Sequence, residues 1–132
     1  MDASQVLQER LPRFAGYADL PARRLTDEEV RAYLGERLAA LSMRLMPTGP
    51  SADHLNALQL RTEFTNQHAQ PFFDSESLDV AHAQAVADAD LATVELADRS
   101  DSVSNLDMLP KYLDETQAVL DARDRAMESS KG

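Results

Sequence analysis

Between Ser51 and Phe73 the chain reads SADHLNALQLRTEFTNQHAQPFF, and its apolar residues fall on two faces of a helix instead of one. At about 100° per residue, Leu55, Leu58, Thr62, Thr65 and Ala69 share one stripe, and Ala57, Leu60 and Phe64 form a second. A helix with two apolar faces needs neighbours on both, so this segment is expected to be the centre around which the rest packs. Between the stripes, His54, Arg61 and His68 recur at intervals of seven residues, a polar line that must reach solvent through a seam or be paired inside.

The flanking segments read as helices too. Residues 2–11, DASQVLQERL, suit a short helix with Val6, Leu7 and Leu11 on one side, stopped by Pro12. The next stretch has no sustained period. It carries Phe14, Tyr17, Leu20 and Leu25 as an arm laid across other helices. Thr26-Asp27-Glu28-Glu29 has the form of a capping box, which predicts a helix start at Thr26. Val30, Leu34, Leu38, Leu41 and Leu45 follow at helical spacing until Pro47, with Gly35 either a small penalty or a point of close approach. The short PTGPS connection places the next helix antiparallel, and Pro71 ends it, leaving Phe72 and Phe73 to plug the end of a bundle.

From about Glu76 to Arg99 an alanine-rich segment has small residues on both sides, one stripe being Leu78, Ala81, Ala85, Ala89, Ala92 and Leu96. Such a surface permits close helix approach, within the chain or to a second copy. A last helix runs from Asp107 or Met108 through Leu109, Leu113, Thr116, Leu120 and Met127, with Pro110 tolerable in its first turn. No alternating strand pattern occurs. The expected fold is all-α: an antiparallel helical bundle of three long helices plus a short N-terminal helix or arm, most simply four-helix up-and-down. Residues 1–132 read as one domain, with an arm over 1–25, a bundle core over 26–128 and a frayed tail over 129–132.

Composition narrows the chemistry. There is no cysteine, which removes disulfides and thiolate chemistry and fits a reducing compartment, so a cytoplasmic location is expected. No signal-peptide-like or membrane-spanning run is evident in the sequence. The net charge of −10 is uneven: residues 1–73 hold nine acids and eight arginines, whereas residues 74–132 hold fourteen acids against five bases. The acidic half would repel nucleic acid and anionic lipid, so a partner chosen by charge is basic.

Four features of the sequence bear on chemistry. A guanidinium between two imidazoles, Arg61 with His54 and His68, suits a carboxylate or phosphate; the plainer reading pairs Arg61 with an acid of a neighbouring helix, Asp88 or Glu95, since a seven-residue interval is also what an interhelical seam produces. Asp79 and His82 form half of a carboxylate–histidine metal motif, but no second half occurs, so no metal or other cofactor is expected. No P-loop, nucleophile elbow or zinc-protease motif is present. Finally, Asp107, Asp114, Glu115, Asp121, Asp124 and Glu128 mark a row of carboxylates on the last helix that could occupy a basic cleft. The expected function is a non-catalytic protein–protein interaction module, self-associating as a homodimer. The alternative is a bundle that binds a small molecule or anion through Arg61, His54 and His68.

Overall fold

The computed structural model describes residues 2–75 and 77–128. All regular structure among them is helical: α1 (Ala3–Arg10), α2 (Leu20–Leu45), α3 (Gly49–Arg61), α4 (Gln70–Asp74), α5 (Val80–Asp98) and α6 (Leu109–Glu128), with short 3₁₀ turns at Arg99–Ser102 and Leu106–Met108. No helix is long and apolar enough among these residues to cross a membrane. The tail expected to fray, 129–132, lies outside the described residues.

Local chemistry accounts for the helix ends. Asp2 and Gln5 exchange hydrogen bonds in a reciprocal cap on α1. The helix expected to start at Thr26 begins six residues earlier, at Leu20, where Asp19 accepts from the Ala22 amide and Pro21 occupies the first turn. Thr26 is instead buried within α2, its hydroxyl donating to the Gly16 carbonyl and accepting from the Ala15 amide, so it fastens the N-terminal arm. Asp79 caps α5, which starts at Val80.

Hydrogen bonds between helices fix their directions. Along α5 and α6, His82 meets Ala126, Asp90 meets Arg123 and Leu96 meets Tyr112, an antiparallel pair. His54 reaches Gln117 and Arg61 reaches Asp124, so α3 and α6 run parallel. Arg123 bridges to Asp27 as well as Asp90, and Tyr33 bonds Asp98, so α2 and α5 also run parallel. The ring order is therefore α2, α3, α6, α5. Consecutive long helices alternate in direction, but α3 and α5 are not ring neighbours as a simple up-and-down bundle would have them. Residues 62–75 cross the bundle end between them, and α4 seats Phe72 and Phe73 there, against Tyr17, Val86 and Met127.

The centre of the fold is α5, which packs against α1, α2 and α6. The helical part of the stretch expected to be central lies at the periphery: Leu60 is 55% and Phe64 60% exposed, and within α3 Leu55 and Leu58 are the buried residues. Its helix stops at Arg61 because Thr62, Thr65 and Asn66 favour local hydrogen bonds over helix. Thr62 Oγ1 donates to the Gln59 carbonyl and Asn66 Oδ1 accepts from the His68 amide. The alanine-rich stripe is corrected likewise: Ala81, Ala85 and Ala92 face solvent, and the buried set is Val86, Ala87, Asp90, Thr93, Val94, Leu96 and Ala97.

Gly35 is a point of close approach. A Cβ there would lie 2.7 Å from Thr62 Oγ1, closer than such atoms pack. Gly35→Ala should therefore destabilise the protein by about 1–3 kcal/mol, despite alanine's better helix propensity. In a Thr62→Ala background most of that penalty should vanish, and urea denaturation of the two single variants and the double variant measures the coupling.

Candidate functional site

Arg23, Asp27 and Arg31 recur every fourth residue on one face of α2, and this face turns inward. Asp27 accepts from Arg31 Nε at 2.9 Å and from Arg123 Nη2 at 2.8 Å. Arg123 in turn donates Nε to Asp90 Oδ1 at 2.6 Å, and the other Asp90 oxygen accepts from the Tyr17 hydroxyl at 2.6 Å. Arg31 continues the chain to the Thr62 carbonyl at 3.0 Å and Thr65 Oγ1 at 3.1 Å. At the other end, Arg23 donates to the carbonyls of Tyr17, Phe72 and Ser75 at 2.9, 3.1 and 2.7 Å. One polar spine thus joins the arm, α2, the 62–75 crossover, α5 and α6. Asp27, Asp90, Arg123 and Arg23 are buried, and every buried side-chain nitrogen and oxygen among the described residues has a partner.

The electrostatics follow from burial. Burial alone would lower the Arg123 pKa, but the charges and hydrogen bonds of Asp90 and Asp27 outweigh it and raise it. Burial pushes the Asp90 carboxyl up, against the pull of the Arg123 charge and the Tyr17 hydroxyl. The Tyr17 phenol is raised far above its ordinary range, first by burial and then by the adjacent Asp90 carboxylate. Tyr112, buried with its hydroxyl on the Leu96 carbonyl, is pushed up to about 12 in the same direction, chiefly by burial.

A raised phenol pKa has a definite consequence. Below about pH 10 the phenol is protonated in both folded and unfolded chains; above it, only the unfolded chain loses the proton. The stability contributed by Tyr17 is thus fully present below pH 10 and falls by about 1.4 kcal/mol per pH unit above it. Tyr112 adds to the loss between pH 10 and about 12. Urea denaturation from pH 8 upward should show this decline, and Tyr17→Phe should be less stable at neutral pH but lose stability less steeply in alkali.

The residues read as a line from the sequence are not brought together. Arg61 forms ion pairs with Asp121 at 2.9 Å and Asp124 at 2.8 Å on α6. Burial alone would lower its pKa, but the hydrogen bonds to these two acids raise it. Its partners are not Asp88 or Glu95 of α5, because the crossover makes α6 the neighbour of α3. His54 contacts Gln117 at 2.7 Å, its Nδ1 lying 3.9 Å from Asp114, whereas His68 sits exposed in the turn beyond α3. A cleft of ≈ 210 Å³ does open beside Arg61, bordered by Arg31, Phe64, Asn66 and Arg123.

The carboxylate row on α6 is largely engaged within the chain. Asp121 and Asp124 hold Arg61, Glu115 lies 3.4 Å from Arg99, and Glu128 accepts from Asn66 at 2.9 Å, leaving Asp114 as its most open member; Asp107, expected on this helix, lies exposed in the 3₁₀ turn before it. Asp79 and His82 serve separate ends: the first caps α5, and the second has its Nε2 2.9 Å from the Ala126 carbonyl. Among the described residues no group of three or more histidine and carboxylate side chains could hold a metal.

Sequence reasoning overlooked Tyr17, Arg23, Asp27, Asp90 and Arg123 as a set. A signal existed: Asp90 sits four residues from both Val86 and Val94, and Arg123 lies between Leu120 and Met127, so both charges occupy apolar stripes. Comparison with protein-family models, with curated proteins and with solved structures finds no match to this chain.

Proposed function

We propose that the protein is a non-catalytic association module, a rigid helical frame that presents an apolar surface to another protein. The observation that carries this reading is the pair Leu60, near the end of α3, and Phe64, in the turn that follows it, large apolar side chains more than half exposed. A second exposed group, Met43, Met46, Leu106 and Met108, lies where α2 ends and α6 begins. The buried spine supports the same reading, since its groups are satisfied by one another and by backbone carbonyls and hold five segments in one arrangement. Cysteine is absent, and the proposal places the protein in a reducing compartment, the cytoplasm.

The anion-binding alternative is weakened by local charge. Around the cleft beside Arg61, the guanidinium groups of Arg31, Arg61 and Arg123 already face the carboxylates of Asp27, Asp90, Asp121 and Asp124. An added anion would meet a surplus of negative charge. Homodimerisation through α5 is likewise the weaker form of association, because the face of α5 left open by α1, α2 and α6 carries Asp88 and Glu95 beside Ala81, Ala85 and Ala92, and a second copy would set these acids against each other.

Light scattering across a wide concentration range, combined with calorimetric titration of phosphate and acetate, tests the proposal. Self-association, or a complex with a protein partner, without saturable anion binding is the expected result. Saturable anion binding by a strict monomer, lost in Arg61→Ala, would transfer the conclusion to ligand binding.

A further inference from the structure

The outer face of α3 is apolar patterning that the fold does not use. Leu55 and Leu58 enter the core, whereas Ala57 and Leu60 on α3 and Phe64 in the turn just beyond it stay outside as an exposed apolar ridge. Gln59, Thr62 and Glu63, which flank Leu60 in sequence, line a groove of ≈ 440 Å³ against α2, where Ala32, Gly35 and Ala39 lie with Glu28 and Glu36. Among the described residues none of these three glutamates is in an ion pair. Arg31 lines the same groove, but Asp27, Thr62 and Thr65 occupy its donors. On the α6 side stand Asp121 and Asp124, which outnumber the single Arg61 between them.

We infer that this face docks a basic amphipathic helix of a partner protein. The partner's apolar side chains would cover Leu60 and Phe64 and settle on the alanine and glycine floor, while its lysines or arginines meet Glu28, Glu36 and Glu63. A second copy of the same face fits worse, because both borders carry excess carboxylate and either orientation sets acid against acid. The inference rests on the association reading and names the chemistry of its partner.

The probe is a synthetic helical peptide with leucines on one face and lysines on the other, compared with a counterpart in which every lysine is glutamate. Affinity is read by fluorescence anisotropy for the full chain, for Leu60→Ser with Phe64→Ser, for Glu28→Gln with Glu36→Gln and Glu63→Gln, and for Met43→Ser with Met46→Ser as a control elsewhere. Circular dichroism checks that each variant keeps its helix content; these positions are on the surface, outside the core. The lysine peptide should bind, losing at least about tenfold, or 1.4 kcal/mol, with either the ridge or the rim variant and nothing with the control. The glutamate peptide should not bind.

Equal binding by the ridge variant would mean diffuse charge attraction and would overturn the proposal. Loss with the methionine control but not the ridge would move docking to the other end of the bundle, overturning this face while leaving the association reading intact. A concentration-dependent dimer abolished by the ridge variant would assign the face to a second copy, again against the proposal. No binding of the peptide, with no self-association and no protein partner, would end both readings.

Discussion

Replacing Arg123 by methionine is expected to lower the free energy of unfolding by about 3–5 kcal/mol, the largest effect of any single change outside the hydrophobic core. Methionine fills much of the arginine's volume, so the loss is one of charge. Asp27 keeps Arg31 and Asp90 keeps the Tyr17 hydroxyl, yet two buried carboxylates then lack the guanidinium that neutralised both. Stability of a domain this size is on the order of 5–15 kcal/mol in all, so the variant should unfold at a much lower urea concentration. A companion variant tests the cause: Asp27→Leu and Asp90→Leu added to Arg123→Met should recover most of the loss, because a complete buried ion group can be exchanged for apolar residues at little cost. If the single variant lies within 1 kcal/mol of the parent, the spine does not hold the bundle as described.

Arg23→Met should destabilise by about 3 kcal/mol and do so unevenly. Among the described residues Arg23 pairs with no carboxylate; its guanidinium donates to three backbone carbonyls, of Tyr17 in the arm and of Phe72 and Ser75 at the crossover. Without it these carbonyls are left without that donor in a low-dielectric setting, and each buried unpaired group costs about 1–3 kcal/mol unless water reaches it. The chain should therefore open locally before it unfolds globally. Hydrogen exchange would show this as loss of protection around residues 14–17 and 70–75, with α5 and α6 little changed. Lysine at position 23 should restore only part of the stability, since an ammonium lacks the planar fork that spans carbonyls of two segments. Arg24→Ala, next in sequence but exposed and paired with Asp74 at 3.3 Å, should cost less than about 1 kcal/mol.

The helices facing a single core were the most legible part of the chain. Val30, Leu34, Leu38 and Leu41 of α2 are buried as their spacing predicts, and so are Leu109, Leu113, Thr116, Leu120 and Met127 of α6. The stretch after Ser51 misled for a definite reason. Its two stripes are real, but periodicity reports which faces are apolar and not whether the same chain covers each of them. Arg61 is paired across a seam, but with Asp121 and Asp124 of α6 in place of Asp88 or Glu95, because a seven-residue interval does not say which helix lies opposite. Asp90 escapes a reading of the sequence because a carboxylate in an alanine-rich helix carries no local mark of its partner. Arg123 is 33 residues away, and Tyr17 is 73.

Helix content, most helix ends and the inward faces of α2 and α6 were determined by the sequence itself, because hydrophobic period, proline position and side-chain caps act within a few residues. The order of helices around the ring, the exposure of Leu60 and Phe64, and the burial of Asp27, Asp90 and Arg123 were decided only by the tertiary structure. Each depends on groups distant along the chain, and above all on the path taken by residues 62–75 across the bundle end. A crossing there sets α3 beside α6 and places α5 at the centre. The buried charges are then tolerable only because helices brought together by that path carry opposite signs to the same place.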